Sequence, residues 1–334
     1  MKTDKKTMLK FMDLAKIGTA SKELVEQSAS YVFTGEHMIT YNDEVSVKIP
    51  FKTDFSGSVN AEEFTAFFKK APGDEIEIQT ISGEIVLKAG KSKAGLTLKS
   101  EIKLPFDEVP KATKWVAISP EMLSAVDFCA TVVSKNMLKP TLTCIHIFGE
   151  TIEASDGFRI AKYTLADAKL PDLLIPATSF TTIIKYAPNR ISAGDGWAHF
   201  KTEDEAIISC RIFSDKFPDT ESVLKENRKG MESRFPNELK EVLERAAIFA
   251  KQDNWLDELI TFEISEGKLA VSSKSNVGWF SEKIRFNYKG AEKKLDIIAS
   301  SFLHILENEN TVIINENMLY FTGAGWEYLT MLKG

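Results

Sequence analysis

The sequence predicts an α+β chain of three similar repeats, each with two helices packed on antiparallel sheet. Two observations carry this. Apolar stripes at helical spacing recur at a near-constant period, and the stretches between them alternate every second residue. The first stripe is Met8, Phe11, Met12 and Ala15, one face of a helix. Met122, Ala125, Val126 and Cys129 repeat it 114 residues on, and Leu239, Val242, Leu243 and Ala246 repeat it 117 residues after that. A second stripe follows each first one, 56, 58 and 63 residues later. These are Phe64, Phe67, Phe68 and Ala71; then Phe180, Ile183, Ile184 and Ala187; then Phe302, Ile305 and Leu306, with Glu309 breaking the last. Phe68-Lys-Lys-Ala-Pro72 parallels Ile184-Lys-Tyr-Ala-Pro188, and the proline stops both helices because it cannot donate or fit the next turn. Ordered pairs at one period point to duplication.

Between the stripes the period changes to two. Phe262 and Ile264 alternate, Ser265-Glu-Gly-Lys268 turns, and Leu269 and Val271 alternate again, which reads as a hairpin. Ile76 and Ile78, then Gly83, then Ile85 and Leu87 repeat it; Ile313, Asn317, Leu319 and Phe321 do so weakly. The polar stretches Pro105 to Lys114 and Lys225 to Pro236 read as linkers. They set domains at 1–112, 113–228 and 229–334.

The chain has 334 residues, long enough for two or three domains, with 43% hydrophobic and 27% charged residues as in globular proteins. Its net charge of −6 excludes a uniformly basic chain but not a local basic surface. No run approaches the ~18 apolar residues of a bilayer span, so no membrane partner is expected. The charged Met1-Lys-Thr-Asp-Lys-Lys start is not followed by an apolar signal core. Cys129, Cys144 and Cys210 are an odd, sparse set, expected to be reduced and partly buried in a cytoplasmic protein.

Catalytic signatures are scarce. Ala89-Gly-Lys-Ser-Lys93 ends like a phosphate loop, but Ile85 stands where the motif needs its first glycine, so a polar hairpin turn is the better reading. Gly194-Asp-Gly196 precedes the alternating Trp197-Ala-His199 and is a turn as well. His37, His146, His199 and His304 lack the spacing of metal ligands, and His146 lies in the apolar run Cys144 to Phe148. Asp156 precedes a glycine and reads as a turn former. No enzyme, cofactor or metal site is expected.

A helix that packs one face on a sheet leaves the other free. On the first helix that face carries Lys5, Lys6, Lys10 and Lys16, with Lys22 just beyond, and the second adds Lys69 and Lys70. Lys135, Lys139, Lys185 and Arg190 lie near helix ends in the middle repeat. Singly each is an ordinary solvated residue; together, with Arg245, they form a candidate surface for neutralising a nucleic-acid backbone. The third repeat offsets Lys240 and Arg245 with Glu238, Glu241 and Glu244.

In this order along the whole chain, the residues resemble the bacterial DNA sliding clamp, the beta subunit of DNA polymerase III. Lys88-Ala-Gly-Lys-Ser-Lys93 resembles the family's basic glycine hairpin, and Phe106-Asp-Glu-Val-Pro110 the link that closes its first domain. Ala154-Ser-Asp-Gly-Phe-Arg-Ile-Ala161 resembles its Thr-Asp-Gly-His-Arg-Leu-Ala segment, and Phe217-Pro-Asp219 with Val223-Leu224 its Phe-Pro-Asp block. Leu239 to Ile248 and Tyr288-Lys-Gly-Ala-Glu292 are similar too. The resemblance implies the DNA clamp fold: a ring-forming homodimer of six domains around duplex DNA, helices lining the hole, bound without sequence preference. It also implies a replicative DNA polymerase and an ATP-dependent clamp loader as partners, at the replisome in the cytoplasm.

The family's partner-peptide cleft falls, by resemblance, on Leu142, Ser155, Gly157, Phe158, Arg159, Ile160, Pro218, Ser222, Val223, Leu329 and Met331. Leu142, Ile160, Val223 and Met331 are expected to supply apolar walls, and Arg159 to present its guanidinium at the rim. Phe158 replaces the usual histidine, Ser222 stands where arginine is common, and Leu329-Thr-Met-Leu-Lys-Gly334 lacks the usual ending. These departures imply a divergent clamp, of phage, plasmid or distant bacterial origin, with its own peptide preference. Two alternatives stand beside the processivity factor: a clamp-fold docking platform that does not encircle DNA, and a hydrolase or transferase whose site assembles only in three dimensions.

Overall fold

The structure, a computed structural model, describes residues 1–252, 258–307 and 309–332. Every repeat follows one element order. The first holds β1 (Lys2–Asp4), α1 (Lys5–Ala15), β2 (Ser30–Phe33), β3 (His37–Tyr41), β4 (Val45–Pro50), β5 (Gly57–Asn60), α2 (Ala61–Lys70), β6 (Glu75–Ile81), β7 (Glu84–Ala89) and β8 (Ser92–Thr97). The second holds β9 (Val116–Ala117), α3 (Glu121–Ala130), β10 (Cys144–Gly149), β11 (Thr151–Ser155), β12 (Arg159–Thr164), β13 (Leu170–Pro176), α4 (Ala177–Ile184), β14 (Arg190–Gly194), β15 (Trp197–Lys201) and β16 (Ile207–Arg211). Helix α5 (Thr220–Asn227) then leads to β17 (Met231–Arg234), α6 (Leu239–Ala250), β18 (Leu259–Ser265), β19 (Lys268–Ser275), β20 (Gly278–Arg285), β21 (Lys293–Ile298), α7 (Ala299–Leu306), β22 (Thr311–Ile314), β23 (Met318–Gly323) and β24 (Trp326–Met331).

The helical stripes are core. Met8, Met12 and Ala15 are buried, as are all four residues of the α3 stripe and all four of the α6 stripe. Local chemistry sets the helix ends. Asp4 caps α1 by accepting from the Thr7 amide at 2.7 Å, and Asn60 caps α2 by accepting from Glu62 at 2.8 Å. Acidic Glu62 and Glu63 open α2 and Lys69 and Lys70 close it, matching its dipole. Glu309, past α7, accepts from the Asn310 and Thr311 amides at 2.9 and 2.7 Å.

The hairpins fall where the alternation placed them. Ser82 and Gly83 join β6 to β7, both with positive φ (49° and 82°), the conformation of a tight two-residue turn. Gly267 (φ 71°) turns β18 into β19. Gly90 turns β7 into β8, and Asp195-Gly196 turns β14 into β15, so neither glycine segment is a nucleotide loop. One expectation fails: Lys225 to Pro236 is not a plain linker. It holds the end of α5 and all of β17, which pairs with β22.

The chain falls into two compact units. One comprises Met1–Ser124, Ile147–Gly149 and Ala168–Asp215; the other comprises Ala125–His146, Glu150–Asp167 and Lys216–Gly334. The cause within each is a shared sheet. In the first unit β4 pairs antiparallel with β16, welding both into an eight-stranded sheet ordered β5-β2-β3-β4-β16-β15-β14-β9. There Tyr41 and Trp197 pack at 6.2 Å beside Val32, Ile39 and Leu104. In the second unit β12 pairs with β24, which continues through β23 and β22 to β17. Phe128 packs there against Trp326 at 5.1 Å. Two four-stranded sheets remain, β1-β6-β7-β8 in the first unit and β20-β19-β18-β21 in the second.

Candidate partner-peptide cleft and basic surface

All eleven candidate cleft residues belong to the second unit. The pairing of β12 with β24 sets Ile160 opposite Leu329, and β23 sets Tyr320 opposite Leu329 on the other side. Ile160, Leu224, Tyr320 and Leu329 form one buried cluster, with Val223, Ile313 and Met318 packed on it half-buried. Leu142 is buried too, and a Cβ on Gly157 would lie 3.9 Å from its side chain. At the edge two large apolar side chains stay open: Phe158 is 57% exposed and Met331 43%. Their backbones are tied, with the Met331 amide donating to the Phe158 carbonyl at 2.8 Å. Of the four predicted walls, Ile160 and Val223 share this cluster, Leu142 lies beside Gly157, and Met331 stands opposite Met318.

Arg159 departs from expectation. It is 3% exposed and does not present its guanidinium at the rim. Asp156 accepts from the Phe158 and Arg159 amides, both at 2.9 Å, as a turn former does. Its other oxygen accepts from Arg159 Nε and Nη2 at 3.0 and 2.7 Å. The turn therefore folds the arginine back onto its own aspartate. Ser155, buried beneath, donates to the Arg159 carbonyl at 2.8 Å and accepts from the Gly157 amide at 3.1 Å.

Helix α5 joins this cluster through Val223 and Leu224 and is held at both ends. Asp219 caps it: the Ser222 hydroxyl and amide both donate to its carboxyl and hold it below the usual carboxylate range. This occupies Ser222, while Pro218 lies exposed next to buried Phe217. The Thr220 hydroxyl donates to buried Glu153, whose other oxygen pairs with His146 Nδ1 at 2.8 Å. His146 packs on Phe217 at 5.1 Å and is a satisfied strand histidine. At the far end Arg228 donates to Glu327 at 2.7 and 2.8 Å and to Glu221 at 2.8 Å, and Lys162 donates to Glu221 at 2.6 Å. The Tyr320 hydroxyl donates to Glu327; burial, then that bond, push its pKa up to about 12. Sequence reasoning missed Leu224, Tyr320, Met318 and Ile313 as cluster members, although Met318 and Tyr320 share one face by period two.

The basic residues divide. Lys16 and Lys69 line one groove of about 710 Å³ between α1 and α2, with Tyr31 and Thr65 at its floor bonded at 2.8 Å. Lys6, Lys22 and Lys70 are exposed nearby in the chain. Lys5 is not on the free face: it is half-buried and donates to the Ala71 carbonyl at the end of α2. Lys10 is exposed and paired with Asp204. Lys135 and Lys139 lie exposed in the loop between α3 and β10, Lys185 caps α4, and Arg190 opens β14. Arg245 is held by both oxygens of Glu282 at 2.8–3.1 Å, so the third repeat's cation is already neutralised.

Among the described residues no three His, Cys, Asp or Glu side chains converge as a metal site, and no helix is long and apolar enough to cross a membrane. The side chain of His304, with Lys333 and Gly334, lies outside the described residues. The three cysteines are buried and form no disulfide. Burial pushes the Cys144 thiol up to about 11 and raises that of Cys129, away from the thiolate a nucleophile needs.

No protein-family model and no curated protein matches this sequence. Solved structures do match over its full length. The DNA polymerase III subunit beta of Pseudomonas aeruginosa is 19% identical, with a TM-score of 0.83 over 100% of this chain and 99% of that one. The Bartonella birtlesii sliding clamp bound to griselimycin is 12% identical with a TM-score of 0.86, covering 100% and 99%. The Bacillus subtilis sliding clamp is 17% identical with a TM-score of 0.82, covering 100% and 98%. The fold of this chain is the sliding-clamp fold.

Proposed function

We propose that this protein is a DNA polymerase processivity factor. Two copies join head to tail around duplex DNA, and replication proteins dock a peptide at the cleft between β12, β24 and α5. Each copy contributes three domains, at about 1–112, 113–228 and 229–334.

One observation carries the reading: a sheet junction left open. In each repeat the third strand after the first helix is β4, β12 or β20, and the third strand after the second helix is β8, β16 or β24. Inside the chain, β4 of the first repeat joins β16 of the second, and β12 of the second joins β24 of the third. The same rule requires β20 of the third repeat to join β8 of a first repeat. Both are end strands of their sheets. An exposed strand end is a template for another chain. A second copy satisfies both open ends by a head-to-tail contact that closes instead of growing, and the resemblance to clamps supports a ring of two. A closed ring holds DNA by topology, so loosely placed lysines such as Lys16 and Lys69 suffice and no sequence is read.

Sizing should give about twice 37.4 kDa. With a bacterial clamp loader and ATP, the protein should stay on nicked circular DNA and leave once the circle is cut. Retention unchanged by linearisation would rule out encirclement and leave a docking platform.

A further inference from the structure

The open junction also has a register, fixed by the two closed ones. Ala15, Cys129 and Ala246 end equivalent helical stripes. The Thr40 hydroxyl donates to the Ala15 carbonyl at 2.8 Å, and the Ser273 hydroxyl to the Ala246 carbonyl at 2.6 Å. The Cys129 thiol donates to the carbonyls of Ile152 and Ala161, beside the Ala154–Ala161 pair. Thr40, Ala154 and Ser273 are therefore equivalent, and so are their cross-strand partners Val47, Ala161 and Phe280. At the closed junctions Val47 faces Ile208 and Ala161 faces Tyr328.

The other side of each junction aligns as well. Ile208 pairs with Phe200, and Tyr328 with Phe321. Leu87 is their counterpart in the first repeat. It pairs with Ile78 three positions back from a two-residue turn, as Phe200 does with Ile191, and it stands two positions before the next two-residue turn, as Phe321 does. The cross-strand partner of Leu87 on β8 is Ala94.

We propose that β20 of one copy pairs antiparallel with β8 of a second copy, with Phe280 opposite Ala94 and Trp279 opposite Gly95. The proposal rests on the ring reading and adds its register. The facing sides agree, since half-buried Phe280 meets half-buried Ala94 and exposed Trp279 meets exposed Gly95; a slip of one residue would reverse every side chain. The sizes are complementary. The β20 side is bulky: Trp279 is 71% exposed, Ile248 is exposed, and Phe249 stacks on Phe280 at 6.4 Å. The β8 side offers a methyl group and a hydrogen. A large aromatic opposite glycine covers the backbone that glycine leaves bare.

Directly opposed residues of an antiparallel pair stand about 4.5–5.5 Å apart at Cα, within disulfide reach. Ser281→Cys with Lys93→Cys, opposed in this register, should give a covalent dimer on mild oxidation, reversed by thiol. Lys283→Cys with Lys93→Cys, offset by two, should give at least tenfold less. The native cysteines are buried and do not compete. Gly95→Trp in the otherwise native chain should weaken the dimer tenfold or more. Preferential cross-linking of the offset pair, or a dimer by sizing in which neither pair cross-links, would overturn the register and leave the ring standing. A native chain monomeric at micromolar concentration would remove the ring reading itself.

Discussion

Asp156 and Arg159 sit three residues apart with side chains almost wholly buried, and their ion pair replaces part of the water that both have lost. Removing the carboxylate leaves a buried guanidinium without its counter-charge: Asp156→Ala should cost about 3–5 kcal/mol in urea unfolding, and Asp156→Asn, which keeps the turn but not the charge, should be intermediate. Aspartate before glycine made the turn legible; the arginine's inward direction was not, because only the folded turn aims it. His199 is another buried polar group, its Nδ1 bonded to Ser209 at 2.8 Å. Burial pushes its pKa down to about 4 from 6.5. Its charged form is thus disfavoured in the folded chain and favoured in the unfolded one. Stability is full above pH 6.5 and falls as pH drops towards 4, by about 2–3 kcal/mol. Urea midpoints at pH 7, 5.5 and 4.5 should trace this loss, and His199→Gln should flatten it.

The long helices and tight hairpins were legible because their periods are local properties of the chain. Helix α5 was not. It has eight residues, only Val223 and Leu224 are apolar, and its place depends on Arg228, Glu221 and Glu327 arriving from distant strands. Arg228→Ala removes bonds to two carboxylates, one of them well shielded, and should destabilise the protein by about 1–3 kcal/mol. The cleft should respond separately. Phe158→Ala and Met331→Ala remove open apolar side chains without emptying the core, so each should weaken a clamp-binding peptide by about 1–2 kcal/mol in calorimetry. Sizing should be unchanged in both. Unchanged peptide affinity would place the docking site elsewhere.

A net charge of −6 conceals uneven distribution. Lys16 and Lys69 share one groove, whereas Lys10 and Arg245 already have acidic partners. Charge reversal at Lys16 and Lys69 together should shorten residence on circular DNA several-fold, and Lys10→Glu should do less. Equal effects would remove the groove from the DNA path. The sheet junctions were invisible in the sequence, since no local pattern says that β4 will meet a strand some 160 residues later. That separation has a consequence on the ribosome. At about 5–20 residues per second, the β4 edge waits on the order of 10–30 s for β16 to be synthesised. Throughout that interval a nascent chain carries a bare strand edge, and on a crowded polysome its nearest match is the same edge of a neighbouring nascent chain.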